Sequence, residues 1–269
     1  MRLSLSLVLG VLLALPAGAQ ELPEETLARA GTPAPWSPRI YLMDWGGHAS
    51  LQRALLAMKW PSIPATIDKL WFYQPNPEVD VWQIDIYRMR SYISAFTRET
   101  EKEQRVPAGK PRPLRILWLG SSFYGAPDSW SGPLERLAKT ALIIVPAGND
   151  IRYDASEIWT SRGIKIGFAP GGQPTGSSDL KKAIAVYLDF ETIYIPTPGG
   201  GGAPLTFTST SSNLFAGHLA NVLSKGVGAG LTPVQIAAKL QAGFRGKDGH
   251  GVVVPEDELD ARITEVLSH

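Results

Sequence analysis

Short apolar runs along this chain alternate with segments whose apolar residues recur every three or four positions. The runs predict strands within 39–44, 70–73, 79–87, 114–119, 141–145, 164–168, 183–190, 192–196 and 248–254. The longer spacing predicts helices within 51–58, 92–103, 133–140, 207–225 and 233–242. Strands and helices in this order predict an α/β fold, in which a mostly parallel sheet lies between two layers of helices.

One predicted helix follows directly on a turn rich in hydroxyl groups, at 207–212. Phe215, Leu219 and Val222 recur at helical spacing, and small residues beside them suit a helix that is packed on several sides. Gly226 is placed to end this helix, because glycine adopts a left-handed conformation at little cost. A serine at such a helix start would lie where backbone N–H groups and the helix dipole stabilise negative charge. The alternative is that the hydroxyls only cap the helix.

The composition narrows the chemistry that the chain can perform. It has 269 residues, 44% of them hydrophobic, which is enough for one sizeable core, and it contains no cysteine, so thiol catalysis and thiolate metal sites are excluded. The nucleophile of any covalent mechanism must then be a hydroxyl, a carboxylate or an amine. Asp, Glu and His residues show no ligand spacing, and we predict neither a metal nor another cofactor.

The N-terminus has the pattern of a secretory signal peptide, with Arg2 before an apolar stretch and Ala17-Gly18-Ala19 at a small-residue cleavage site. We therefore expect a signal peptide at 1–19, a lead-in segment at 20–38 and one domain at 39–269, in a protein that is periplasmic or secreted. Removal of Arg2 leaves 25 basic residues from the original 26, against 25 acidic ones. A chain so close to neutral has no electrostatic reason to bind nucleic acid, and no membrane span is expected after cleavage.

Several segments resemble subtilisin-like serine proteases, the subtilases. The segment from Thr208 and Ser209 to Ala216 and Gly217 is similar to the nucleophile segment of that family, and Val145-Pro-Ala-Gly-Asn149 is similar to its Val-Ala-Ala-Gly-Asn segment. Further likenesses are the strand and turn at 116–122, the helix at 231–240 and the Gly-x-Gly strand at 249–254. The resemblance covers most of the chain from Arg39 onward and implies the three-layer subtilisin-like fold and serine endopeptidase activity on a peptide or protein substrate.

The resemblance also implies roles for individual residues. Ser209 becomes the nucleophile, and Asn149 becomes the side-chain donor to the oxyanion. Leu119, Gly120 and Ser121 are expected to line the substrate cleft through their backbone.

The base is chosen among four histidines, of which His218 lies too far along the same helix as Ser209, roughly 13 Å away. His250 and His269 lie in the C-terminal segment, which leaves His48. Asp44, at the end of a predicted strand, matches the aspartate that orients the base, and the order Asp, His, Ser is that of subtilisins. The simpler alternatives are a helix-capping or surface histidine for His48, a helix-capping or turn aspartate for Asp44 and a turn asparagine for Asn149.

Asp44 and His48 are only four residues apart, whereas subtilases separate them by a few tens of residues. We expect Trp45-Gly46-Gly47 to form a tight turn that brings both side chains to one cleft, with the His48 ring directed at Ser209.

Two other functions stay open at this point. In the nucleophile segment Phe207, Ser211 and Asn213 replace the family's glycine, alanine and proline. The chain could therefore be a catalytically impaired, peptide-binding relative. The third hypothesis is a periplasmic α/β protein that binds a small ligand through the glycine-rich loops near 120–122 and 199–202. The oligomeric state is not predicted.

Overall fold

The computed structural model of the protein describes the parts of the chain from residue 34 onward that follow: 34–44, 46–69, 73–76, 81–84, 86–105, 107, 110–120, 131–148, 162–175, 184–197, 199–247 and 249–269. The predicted signal peptide and most of the predicted lead-in lie outside these residues.

Within the described residues, seven strands form one parallel sheet. They are β1 (Trp36–Asp44), β2 (Ala65–Lys69), β5 (Arg112–Leu119), β6 (Ala141–Pro146), β7 (Ile164–Phe168), β8 (Val186–Asp189) and β11 (Val252–Pro255), in the spatial order β11-β8-β7-β6-β5-β1-β2. Two short antiparallel pairs stand apart from this sheet: β3 (Tyr73–Asn76) with β4 (Val81–Ile84), and β9 (Ile193–Pro196) with β10 (Gly202–Leu205).

Helices cover both faces of the parallel sheet. They are α1 (Gly46–Lys59), α2 (Ile86–Glu103), α3 (Ser131–Ala138), α4 (Phe207–Ser224), α5 (Pro233–Gly243) and α6 (Leu259–Ser268). Alternate residues of a strand point to opposite faces, so Leu42 and Trp118 pack with α1, α4, α5 and α6, while Met43 and Leu119 pack with α2 and α3. The predicted three-layer α/β fold is confirmed, and α4 is buried along most of its length.

Several elements differ from the prediction, and the sequence or the packing explains three of the differences. The first strand begins at Trp36 instead of residue 39, because Trp36 is 2% exposed in the core and pairs with Arg112 of β5. The strand predicted at 79–87 is wrong at its end, since α2 already begins at Ile86. Strand β2 was not predicted at all, because its sequence Ala-Thr-Ile-Asp-Lys carries too few apolar residues to stand out at the edge of a sheet.

Other predictions are confirmed at the level of single residues. Thr232 and Gln235 form a capping box at the start of α5, with Pro233 in the first helical position. Gly226 has φ 91° just beyond α4, as its proposed place at the helix end requires.

An ionic cluster joins the middle of α4 to the last residue of α1 and to two acidic residues near the C-terminus. His218, in the middle of α4, bonds through its two ring nitrogens to Asp260 and Glu256, each at 2.7 Å. Lys59, the last residue of α1, donates to both carboxylate oxygens of Glu256 at 2.8 and 2.9 Å. Both ring nitrogens of His218 are therefore used in this cluster, which gives His218 a structural role away from Ser209.

The cluster is expected to make stability fall when the solution is acidified. The pKa of Glu256 is lowered from 4.5 to about 2, first because it bonds to His218 and then because of Lys59. A lowered folded pKa stabilises above the unfolded value, so this contribution, at most about 3 kcal/mol, is lost as the pH falls from about 4.5 towards 2. Urea unfolding of wild type and Glu256→Gln should show the smaller acid-induced loss in the variant.

Raising the pH tests the same cluster through His218, whose pKa is raised in the folded protein whereas that of Glu256 is lowered. Burial by itself would lower the pKa of His218, but the bonds to Asp260 and Glu256 outweigh burial and raise it. Its contribution is complete below the unfolded pKa of 6.5 and is lost as the pH rises through the raised value. If wild type and His218→Gln lost stability in parallel above about pH 6.5, this account of the cluster would be wrong.

In the part of the chain that the structure describes, no helix is both long enough and apolar enough to cross a membrane.

Candidate active site

Three elements bring Asp44, His48 and Ser209 together. Asp44 ends β1, His48 lies in the first turn of α1, and Ser209 lies in the first turn of α4. The Nδ1 of His48 is hydrogen-bonded to Oδ2 of Asp44, and its Nε2 lies 3.3 Å from Oγ of Ser209. Both contacts expected from the sequence are therefore present, one between residues four positions apart and one between residues 161 positions apart.

The local backbone differs from the expected turn. Helix α1 already begins at Gly46, so Gly46 and Gly47 belong to its first turn and do not form a separate turn before His48. Only one residue separates the end of β1 from the start of α1. This short connection lets the side chains of Asp44 and His48 meet although they are only four residues apart.

Asp44 is held in a fully buried position beside β5. It is 0% exposed, and a Cβ atom built on Gly120 would lie 2.1 Å from Oδ2 of Asp44. Gly120 also donates its N–H to the carbonyl of Met43 at 3.0 Å, which joins the two strand ends. Only glycine leaves room for the carboxylate here, and this packing argues against Asp44 being a plain turn residue.

The hydroxyl groups of α4 are engaged in different ways, and the difference singles out Ser209. Thr210, Ser211 and Ser212 donate to carbonyl oxygens three or four residues earlier on the chain. Thr206, the N-cap residue, makes no side-chain capping bond. The Oγ of Ser209 instead faces the imidazole of His48, so the capping interpretation does not describe Ser209.

Phe207 opens α4 in an unfavourable backbone conformation. Its φ is 68°, and among the described residues it is the non-glycine residue with positive φ. The residue is 54% exposed, and its ring lies edge-on to that of Phe168 at 6.4 Å between ring centroids. The subtilase segment has glycine at the matching position, and positive φ is the conformation that glycine adopts without strain.

Phe207→Gly is expected to be more stable than Phe207→Ala by roughly 1 kcal/mol, because both remove the ring but only alanine keeps the Cβ penalty. In an ordinary helix interior alanine is the more stable of the two by a similar amount. Urea unfolding of both variants measures the difference. An alanine variant equal to or more stable than the glycine variant would show that this position carries no strain.

Two buried amides that the sequence analysis missed complete the surroundings of His48. Gln52 and Asn213 are both 0% exposed, and the Nε2 of Gln52 lies 3.2 Å from Nε2 of His48. Asn213 donates to Oε1 of Gln52 at 2.8 Å. The spacing of four between His48 and Gln52 on one helix was a usable signal, since such residues share a face.

The predicted cleft and oxyanion residues are described only in part. Asn149 and Ser121 lie outside the described residues, although Gly148, next to Asn149, has φ 95°. The side chain of Leu119 is fully buried in the core. The backbone of Leu119 and Gly120 lies next to Asp44, at the ends of β5 and β1. That this backbone binds the substrate peptide remains a prediction.

The described residues contain no group of three or more His, Asp or Glu side chains that could hold a metal ion.

Comparison with solved structures identifies the fold of the chain. A cold-adapted subtilisin-like serine proteinase aligns with 82% of this chain and 89% of its own, at 12% identity and a TM-score of 0.55. The protease domain of PatA covers 87% of this chain and 98% of its own, at 13% identity and a TM-score of 0.55. The prenylagaramide maturation protease PagA covers 91% and 99%, again at 13% identity and 0.55.

The sequence itself matches no protein-family model and no curated protein. At identities this low the structural likeness shows the fold alone. The chain therefore has the subtilisin-like fold, and its activity has to be argued from its own site.

Proposed function

We propose that this protein is a serine endopeptidase, exported from the cell, that cleaves a peptide or protein substrate through an acyl-enzyme on Ser209. The observation that carries the proposal is the hydrogen-bonded series Asp44, His48, Ser209 at the start of a buried helix. Such a series is the arrangement that activates a serine hydroxyl, and similarity to the subtilisin-like fold supports it.

The geometry gives each side chain a step. Oγ of Ser209 attacks the carbonyl carbon of the scissile peptide bond while its proton passes to Nε2 of His48. Asp44 accepts the hydrogen bond from Nδ1–H and keeps the ring in the required tautomer. His48 then gives the proton to the leaving amine as the carbon–nitrogen bond breaks, and water hydrolyses the resulting ester by the same proton route.

Negative charge develops on the substrate oxygen during these steps. Because Ser209 lies in the first turn of α4, this oxygen would form near the N-terminus of that helix, which stabilises negative charge. Asn149 is proposed as the side-chain donor on the strength of the family resemblance.

Labelling with a fluorophosphonate probe tests the proposal. Folded wild type is expected to react, Ser209→Ala is expected to stay unlabelled, and mass spectrometry should place the label on Ser209. Ser211→Ala is the matched control, because it removes a hydroxyl two residues along the same helix that is bonded to the carbonyl of Phe207. Equal labelling of Ser209→Ala and wild type would exclude Ser209 as the nucleophile.

A catalytically impaired peptide-binding protein is the second candidate, and one observation favours it. Phe207 carries φ 68° where the family has glycine. Folded wild type that binds peptides and resists the probe would establish this second function.

A further inference from the structure

The amides of Gln52 and Asn213 lie beside the His48 ring, and the proposed triad makes no use of them. Gln52 follows His48 by four residues on α1, and Asn213 follows Ser209 by four residues on α4. Burying amides is costly unless they are hydrogen-bonded, and both polar atoms of the Gln52 amide and the nitrogen of Asn213 have partners, whereas the oxygen of Asn213 has none among the described residues.

A backbone carbonyl fixes the orientation of the two amides. One atom of the Asn213 amide lies 2.9 Å from the carbonyl oxygen of Gln52, and a carbonyl only accepts, so this atom is the nitrogen. The same nitrogen lies 2.8 Å from the Gln52 side chain, whose facing atom must then be the oxygen. The nitrogen of Gln52 is left to face Nε2 of His48 at 3.2 Å.

Thr210 fixes the orientation independently. Its hydroxyl donates to the carbonyl of Thr206 at 2.9 Å, so its oxygen is free to accept. The Nε2 of Gln52 lies 3.4 Å from that oxygen and donates to it. The two amide hydrogens of Gln52 are thus directed at Thr210 and at His48.

The orientation of the Gln52 amide also fixes which nitrogen of the His48 ring carries the proton. A donor at Nε2 requires a lone pair there, which places the ring proton on Nδ1, where Asp44 accepts it. Every donor in the series from the Gln52 carbonyl to the Asp44 carboxylate then meets an acceptor. Turning the Gln52 amide over would set its nitrogen against the donating nitrogen of Asn213.

We infer that Gln52, oriented by Asn213, is a positioning residue that keeps Nε2 of His48 unprotonated and directed at Ser209. The consequence for catalysis rests on the proposed peptidase function. Asp44 selects the tautomer at one end of the ring, and Gln52 selects it at the other.

The subtilase nucleophile segment has proline where this chain has Asn213, and proline has no side-chain donor to orient an amide. The family's nucleophile segment therefore does not supply this pair. A purely structural role would be to hold α1 against α4 through the bond from Asn213 to the Gln52 carbonyl.

Gln52→Glu and Gln52→Met separate the two roles. Among the described residues, the groups that face the ring include Asp44 from β1, Trp118 from β5, Gln52 from α1 and Ser209 from α4. Glutamate replaces the donor at Nε2 by an acceptor and favours the protonated ring, whereas methionine fills similar space with neither.

For Gln52→Glu we expect kcat near pH 7 to fall by about 10²-fold with KM unchanged, and to recover as the pH rises. Gln52→Met removes the donor without adding an acceptor, so its pH profile should lie between those of wild type and Gln52→Glu. A Gln52→Glu profile that superimposes on wild type overturns the inference. A Gln52→Met profile displaced like that of Gln52→Glu also overturns it, because packing alone would then explain the effect.

Nitrogen NMR of histidine-labelled protein gives a readout that needs no activity. The His48 signals, assigned by their loss in His48→Asn, should show an unprotonated Nε2 in wild type and a protonated one in Gln52→Glu. That result in a protein without peptidase activity would reject the proposed function and support the inference. Ring signals unchanged by Gln52→Glu overturn the inference whatever the activity.

Asn213→Ala keeps the test available if Gln52→Glu does not fold. It releases the Gln52 amide to turn its oxygen towards Nε2, so the His48 signals should move towards the protonated form. An unchanged signal in this variant overturns the inference.

Discussion

Replacing Asp44 with asparagine is expected to lower kcat for peptide hydrolysis by about 10⁴-fold, with little change in KM. Asp44 accepts a hydrogen bond from Nδ1 of His48. An asparagine can donate there instead, and it would then stabilise the tautomer whose proton lies on Nε2. That tautomer cannot take the proton of Ser209, although the packing around position 44 is nearly unchanged.

Steady-state kinetics and the rate of fluorophosphonate labelling both measure the effect. Glu258→Gln is the matched control, since it makes the same acid-to-amide change at an exposed residue and should behave as wild type. A folded Asp44→Asn protein that labels as fast as wild type would show that the Asp44 carboxylate does not orient the base.

Gly120→Ala is expected to damage both the site and the fold. The new Cβ would lie 2.1 Å from Oδ2 and 2.3 Å from Cγ of Asp44, so the carboxylate must move away. Displacement of a catalytic group by about 1 Å costs on the order of 10²-fold in rate. Overpacking of a buried position costs typically 1–3 kcal/mol, and we expect roughly that loss in the free energy of unfolding.

Gly132→Ala is the control for the same substitution. A Cβ on Gly132, in helix α3, meets no atom within 4 Å, so this variant should be neutral or more stable by up to about 1 kcal/mol. Urea unfolding and kcat are measured on both variants. If Gly120→Ala retained wild-type rate and stability, Asp44 would have to lie elsewhere in solution.

The resemblance to subtilases gave the strongest prediction because it joined segments that periodicity cannot connect. Spacing alone predicts that 207–225 is a buried helix but does not predict a role for its serines. The choice of His48 among four histidines followed from the helical rise, which excludes His218, and from the order of the motifs along the chain. The structure then gave His218 a different environment, between Glu256 and Asp260.

The sequence by itself determined the elements whose signals are local: apolar runs for β5 to β7, the capping box of α5, and glycine at the end of α4. It also determined which residue types could act, since the chain lacks cysteine and has four histidines. These features depend on neighbouring residues and on the composition, which the sequence shows directly.

Only the tertiary structure decided which side chains meet. The partnership of Gln52 with Asn213, 161 positions apart, and the closeness of Gly120 to Asp44 depend on how α1, α4 and β5 pack together. The edge strand β2 and the start of β1 at Trp36 likewise depend on pairing with β1 and β5. Hydrogen bonds and close contacts form between residues that are distant in sequence, and local pattern carries no record of such pairs.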